Sequence, residues 1–106
     1  MPPILQECLI KDREVKALVN QTSIDNKLHE CEKICTEVRL SGHPKHYLYS
    51  WALMAINRHI NTGRASVMWL EKFLAADART LMDKASKYSG SDDACIKAVN
   101  RYLRIS

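Results

Sequence analysis

Glycine and proline are scarce in this chain, three of each in 106 residues, and two of the prolines are adjacent at Pro2 and Pro3. An all-β fold draws on both residues for its turns, so their scarcity argues against one and favours helices. Long apolar runs are missing too. No segment approaches the roughly 18 consecutive apolar residues that span a bilayer, and no N-terminal stretch sets a basic region before an uninterrupted apolar one. The expectation is a cytoplasmic protein with neither a membrane span nor a secretory leader. Glycine-rich phosphate loops, zinc-finger spacing and basic-zipper repeats are also lacking, which leaves nucleotide chemistry and base-specific DNA reading without their usual sequence signatures.

What the chain has is an ordinary globular composition, 46% hydrophobic and 26% charged, enough to offset the entropy of ordering one core. Its length fits a single domain over residues 1–106 and leaves no room for a second core. The net charge of +4 is unevenly spread: up to Leu40 there are 6 Lys/Arg against 7 Asp/Glu, and from Ser41 onward 10 against 5. Any attraction for an acidic partner therefore belongs to the C-terminal two thirds.

Apolar spacing predicts an all-α, compact antiparallel bundle of about five helices. The first runs from Pro3 to Asn20. Thr22 or Ser23 caps the second, whose stripe is Ile24, Leu28, Cys31, Cys35 and Val38, and Gly42 supplies its left-handed stop. Pro44 opens the third and Gly63 closes it. Tyr47, Leu48, Trp51, Ala52 and Ala55 make one stripe there and Tyr49, Leu53, Ile56 and Ile60 another, so this helix is expected at the centre of the fold with Trp51 buried. From Arg64 to Tyr88 the simplest reading is one continuous helix, with Val67, Leu70, Leu74, Ala78, Leu81, Ala85 and Tyr88 on its stripe. The competing reading breaks it between Ala75 and Ala78, with Asp77 capping a new helix. Ser91, followed by Asp92 and Asp93, caps the last helix, which buries Cys95, Ile96, Val99, Tyr102 and Leu103.

The residue types that carry chemistry find bland explanations. Cys8, Cys31, Cys35 and Cys95 sit among aliphatic residues on apolar stripes, where a free thiol packs as a small hydrophobe. His29, near Cys31 and Cys35, points some 100° or more away from their stripe, so no zinc site and no cofactor is expected. His43, His46 and His59 titrate near neutral pH, yet no nucleophile or paired carboxylate accompanies them locally, and an enzymatic role has no motif behind it.

Two features suggest binding. Trp69 and Phe73 lie one turn apart, offset from the stripe of their helix, and a second apolar stripe needs a second partner. That partner is either the chain's own core or another protein, and aromatic pairs are enriched at interfaces. Lys97, Arg101 and Arg104 form a row on the last helix, with Arg79, Lys84 and Lys87 able to extend it, either as a solvated face or as a phosphate-contacting strip. The expectation is a non-enzymatic binding or regulatory protein that docks a protein partner or a second copy of itself at Trp69 and Phe73. The alternative is a nucleic-acid-binding regulator that uses the basic strip.

Overall fold

The computed structural model describes residues 19–88 and 90–105, which form five helices with no strand. They are α1 (Gln21–Leu40), α2 (His46–Asn61), α3 (Val67–Ala75), α4 (Ala78–Ala85) and α5 (Asp92–Leu103). The helix expected over Pro3 to Asn20, with Cys8, lies outside the described residues.

Helix α1 starts earlier than expected. Its cap is Asn20, whose side-chain oxygen accepts from the Ser23 amide at 2.8 Å, so Thr22 and Ser23 belong to the first turn. Ile24, Cys31, Ile34, Cys35 and Val38 are buried on one face, and Gly42 takes the left-handed conformation at φ 77° just beyond the end. A turn led by His43 follows, the imidazole Nδ1 accepting from the Lys45 amide at 3.0 Å, and the regular helix begins at His46 rather than at Pro44.

The placement of α2 corrects the sequence reading. Its buried face is Ala52, Ala55 and Ile56, while Trp51 is 53% exposed. Two alanines in the seam leave little side chain to hold neighbouring helices apart, so α2 packs closely against α1, α4 and α5 and leaves its large side chains outside.

The continuous helix over Arg64 to Tyr88 is replaced by two, as the competing reading had it. Ala76 is extended (φ −74°, ψ 152°), and Asp77 caps α4 by accepting from the amide of Thr80 at 3.0 Å and from its hydroxyl at 2.7 Å. The carbonyl of Ala76 is satisfied from outside, by the Lys27 amine of α1. The break turns the buried face of α3. Val67, expected on the buried stripe, is 63% exposed, Leu70 and Leu74 are partly buried against the core, and Trp69 and Phe73 turn fully inward. The centre of the core is Cys31, Ile56, Phe73, Leu81, Met82 and Val99, with α4 burying half of its eight residues. Helix α5 matches expectation at its start, Ser91 Oγ accepting from the Ala94 amide at 3.1 Å. Its buried residues are Cys95, Ala98, Val99 and Leu103, and it ends on Arg104 in the left-handed region at φ 59°.

Candidate functional site

The fold turns one apolar helix face outward. Tyr47, Trp51 and Met54 stand at positions i, i+4 and i+7 of α2, so they share a side of the helix, and all three are about half exposed. Arg58 continues the line by one more turn. Within this ridge, Trp51 and Met54 form one lip of a groove of 180 Å³, walled further by Leu48, Ala52 and Ala55 from α2 and by Ala85, Tyr88 and Cys95 from the other side. One end of the groove is closed by a two-pronged ion pair, Arg58 Nε to Asp92 Oδ2 at 2.6 Å and Nη2 to Oδ1 at 3.0 Å. The bound carboxylate raises the pKa of Arg58 further above its usual value. A second tether, the Tyr49 hydroxyl donating to Asp83 Oδ1 at 2.7 Å, joins α2 to α4, and that carboxylate also raises the phenol's pKa. The ridge thus stands on a helix anchored to its neighbours.

Trp69 and Phe73, expected on the docking face, belong to the core. They are 3% and 0% exposed, stack with ring centroids 5.2 Å apart, and are covered by His59 of α2, whose ring lies 4.8 Å from the indole. The second apolar stripe is covered by the chain itself. The signal that would have found the true outward face is Arg58: the line Tyr47, Trp51, Met54, Arg58 ends on a charge, whereas the seam of Ala52, Ala55 and Ile56 carries none.

The six cations of the expected basic strip scatter. Arg79 pairs with Glu37 of α1. Lys97 lies in a recess with Arg58, His59 and Arg64, and Lys87 in another with His43, Tyr49 and Asp83. Lys84, Arg101 and Arg104 do converge, on a groove of 690 Å³ that Lys72 joins as a fourth cation. Lys72 was invisible to sequence reading because it reaches this groove only when α3 crosses the end of α5, where its amine donates to the carbonyls of Leu103 at 3.3 Å and Arg104 at 3.4 Å.

The titrating residues are dispersed. His43 sits in the turn before α2, His46 at its first position and His59 near its end, about 20 Å from His46 along the helix axis. Burial, together with the Arg64 charge, lowers the pKa of His59 and favours its neutral form. Cys31, Cys35 and Cys95 are free and buried, and burial pushes each thiol up to about 11. His29 is exposed and bridges to Glu32, away from the two thiols of α1. Among the described residues no group of three or more His, Cys, Asp or Glu side chains converges as a metal site would, and no helix is long and apolar enough to cross a membrane.

Comparison with known proteins finds no matching family model, no matching curated protein and no matching solved structure, so the candidate sites stand on their own geometry.

Proposed function

We propose that the protein is a non-enzymatic binding protein whose working form is self-associated, with the α2 face of Tyr47, Trp51 and Met54 as its contact surface. The observation that carries this reading is Trp51, a large apolar side chain half exposed between Tyr47 and Met54 on one side of α2. Aromatic residues and Met are enriched at protein interfaces, and a contiguous apolar ridge in water lowers its free energy when covered.

A second copy is the occupant favoured by the shape and charge of the patch. A two-fold interface requires one surface to offer both the projection and the recess that receives it. Here Trp51, half exposed, forms one lip of the groove whose walls include Leu48, Ala85 and Tyr88, so a projecting ring and a recess lie side by side on the same face. The patch also brings no unpaired charge against its own image, because Arg58 and Asp92 at its edge already neutralise each other. Three buried free thiols accord with a reducing, cytoplasmic setting.

The test is light scattering of the purified full chain over a wide concentration range, at low and high salt, beside a Trp51→Glu variant. The expected result is a dimer that persists in salt and a variant that is monomeric yet keeps the parent's helical circular dichroism and a cooperative melt. A monomer at every concentration, or a Trp51→Glu variant that still dimerises, overturns the reading.

A further inference from the structure

The groove of 690 Å³ lies at the last turns of α3 and α5 and the segment that leaves α4, where it adjoins the smaller groove at Tyr88. Its charged lining is Lys72, Lys84, Arg101 and Arg104, with no carboxylate among the lining residues. Basic residues in a last turn ordinarily serve the helix dipole, and three helix ends contribute about −1.5 charges between them. Four full positive charges exceed that, so the groove stays distinctly positive. Lys72 already answers two carbonyls of the α5 end. Lys84, Arg101 and Arg104 are exposed, and each keeps its charge toward solvent.

Between these cations the walls are apolar and aromatic. Tyr88 and Tyr102 stand beside Ala75, Ala76 and Ala98, whose methyl groups leave room for a flat ring against the phenols. Cations at a rim and aromatic faces within are the two parts that hold a single-stranded nucleic acid, one for phosphates and the other for unstacked bases. An acidic peptide can use the cations but has no built-in alternation of phosphate and flat ring, and a stiff duplex does not bend its bases into a recess of this size.

We propose that this groove binds single-stranded RNA or DNA, with Arg101, Lys84 and Arg104 contacting successive phosphates and a base packed on Tyr88. The inference does not rest on self-association: Lys84, Arg101 and Arg104 lie outside the smaller groove, Tyr88 alone lines both, and a Trp51→Glu variant is expected to bind strands as the parent does.

The test is fluorescence anisotropy of labelled oligo-U and oligo-dT strands of about 15 nucleotides with the full chain. With three phosphates neutralised, the logarithm of affinity falls with that of salt at a slope of about −2, a roughly 20-fold loss between about 50 and 200 mM. Arg101→Ala and Lys84→Ala are each expected to flatten the slope by about 0.7, and Tyr88→Ala to weaken binding about tenfold with the slope kept. Arg104→Gly removes a cation at a position whose φ of 59° suits glycine, so it tests the groove without straining the fold. Arg79→Ala and Lys97→Ala, outside the groove, are expected to change neither affinity nor slope.

Binding of one sugar type alone supports the groove and identifies its ligand as RNA or DNA. The proposal is overturned by the absence of strand binding, by equal losses in the Arg79 and Lys97 variants, or by competition from a duplex or inorganic polyphosphate as effective as from the unlabelled strand.

Discussion

The indole nitrogen of Trp69 donates to the side-chain oxygen of Asn100 at 2.7 Å, a bond that spans 31 residues and ties α3 to α5 inside the core. It explains how a tryptophan can be 3% exposed without an unsatisfied N–H. Removing the ring by Trp69→Ala is expected to cost about 3–5 kcal/mol, because a large cavity opens against Phe73 and His59. Asn100→Ala leaves the indole N–H buried without its acceptor and is expected to cost about 1–3 kcal/mol. Urea unfolding followed by circular dichroism measures both, and a loss well under that range in either variant contradicts the core placement.

Trp51 makes the complementary prediction. Half exposed as it is, Trp51→Ala is expected to change the stability of the isolated chain by less than about 1 kcal/mol. The two tryptophans therefore separate sharply in one experiment: thermal melts of dilute Trp51→Ala and Trp69→Ala beside the parent. Similar losses in the two variants mean that α2 packs the other way round.

Asp77 holds the boundary between α3 and α4 by accepting twice from Thr80, and those same bonds hold its carboxyl below the usual carboxylate range. Asp77→Ala removes the cap and is expected to lower the melting temperature by several degrees, while Asp77→Asn, which keeps an acceptor, recovers most of the loss. If the two substitutions are equally damaging, the cap is not what sets the break.

His59 gives a pH dependence of definite sign. Its folded pKa lies below the ordinary 6.5, so as pH falls past 6.5 the unfolded chain takes up a proton that the folded chain resists. Stability is expected to decline from pH 7.5 toward pH 5.5, roughly, and His59→Phe should lessen that decline. Melting temperatures of parent and variant across this range decide it, and parallel profiles assign the decline to other groups.

The thiols offer a probe of the fold itself. Cys31, Cys35 and Cys95 are buried and largely protonated near neutral pH, their pKa values raised to about 11. They are expected to resist a disulfide reagent in the native state and to react on addition of denaturant. Peptide mapping by mass spectrometry follows each site, and rapid native labelling of Cys95 would place α5 away from α4.

Much of this fold was legible in local pattern. The stripe Ile24, Cys31, Cys35 and Val38, the stop at Gly42, the end at Gly63 and the cap at Ser91 each follow from residues within a turn or two of one another, and all-helical structure follows from them. Local pattern also named two aromatic stripes, one at Tyr47 and Trp51 that it assigned to the core and another at Trp69 and Phe73 that it offered to a partner. Which of them won was a tertiary decision. The break that Asp77 caps rotates α3 relative to a continuous helix, Asn100 supplies a distant acceptor for the Trp69 indole, and the side of α2 that carries Ala52, Ala55 and Ile56 enters the seam, leaving Trp51 in water. The groove has the same origin: Lys72, Lys84 and Arg101 lie on three different helices, and no one-dimensional spacing could report that their ends meet. Periodicity names the faces of a helix, but the choice of the face that is buried depends on partners dozens of residues away in the chain.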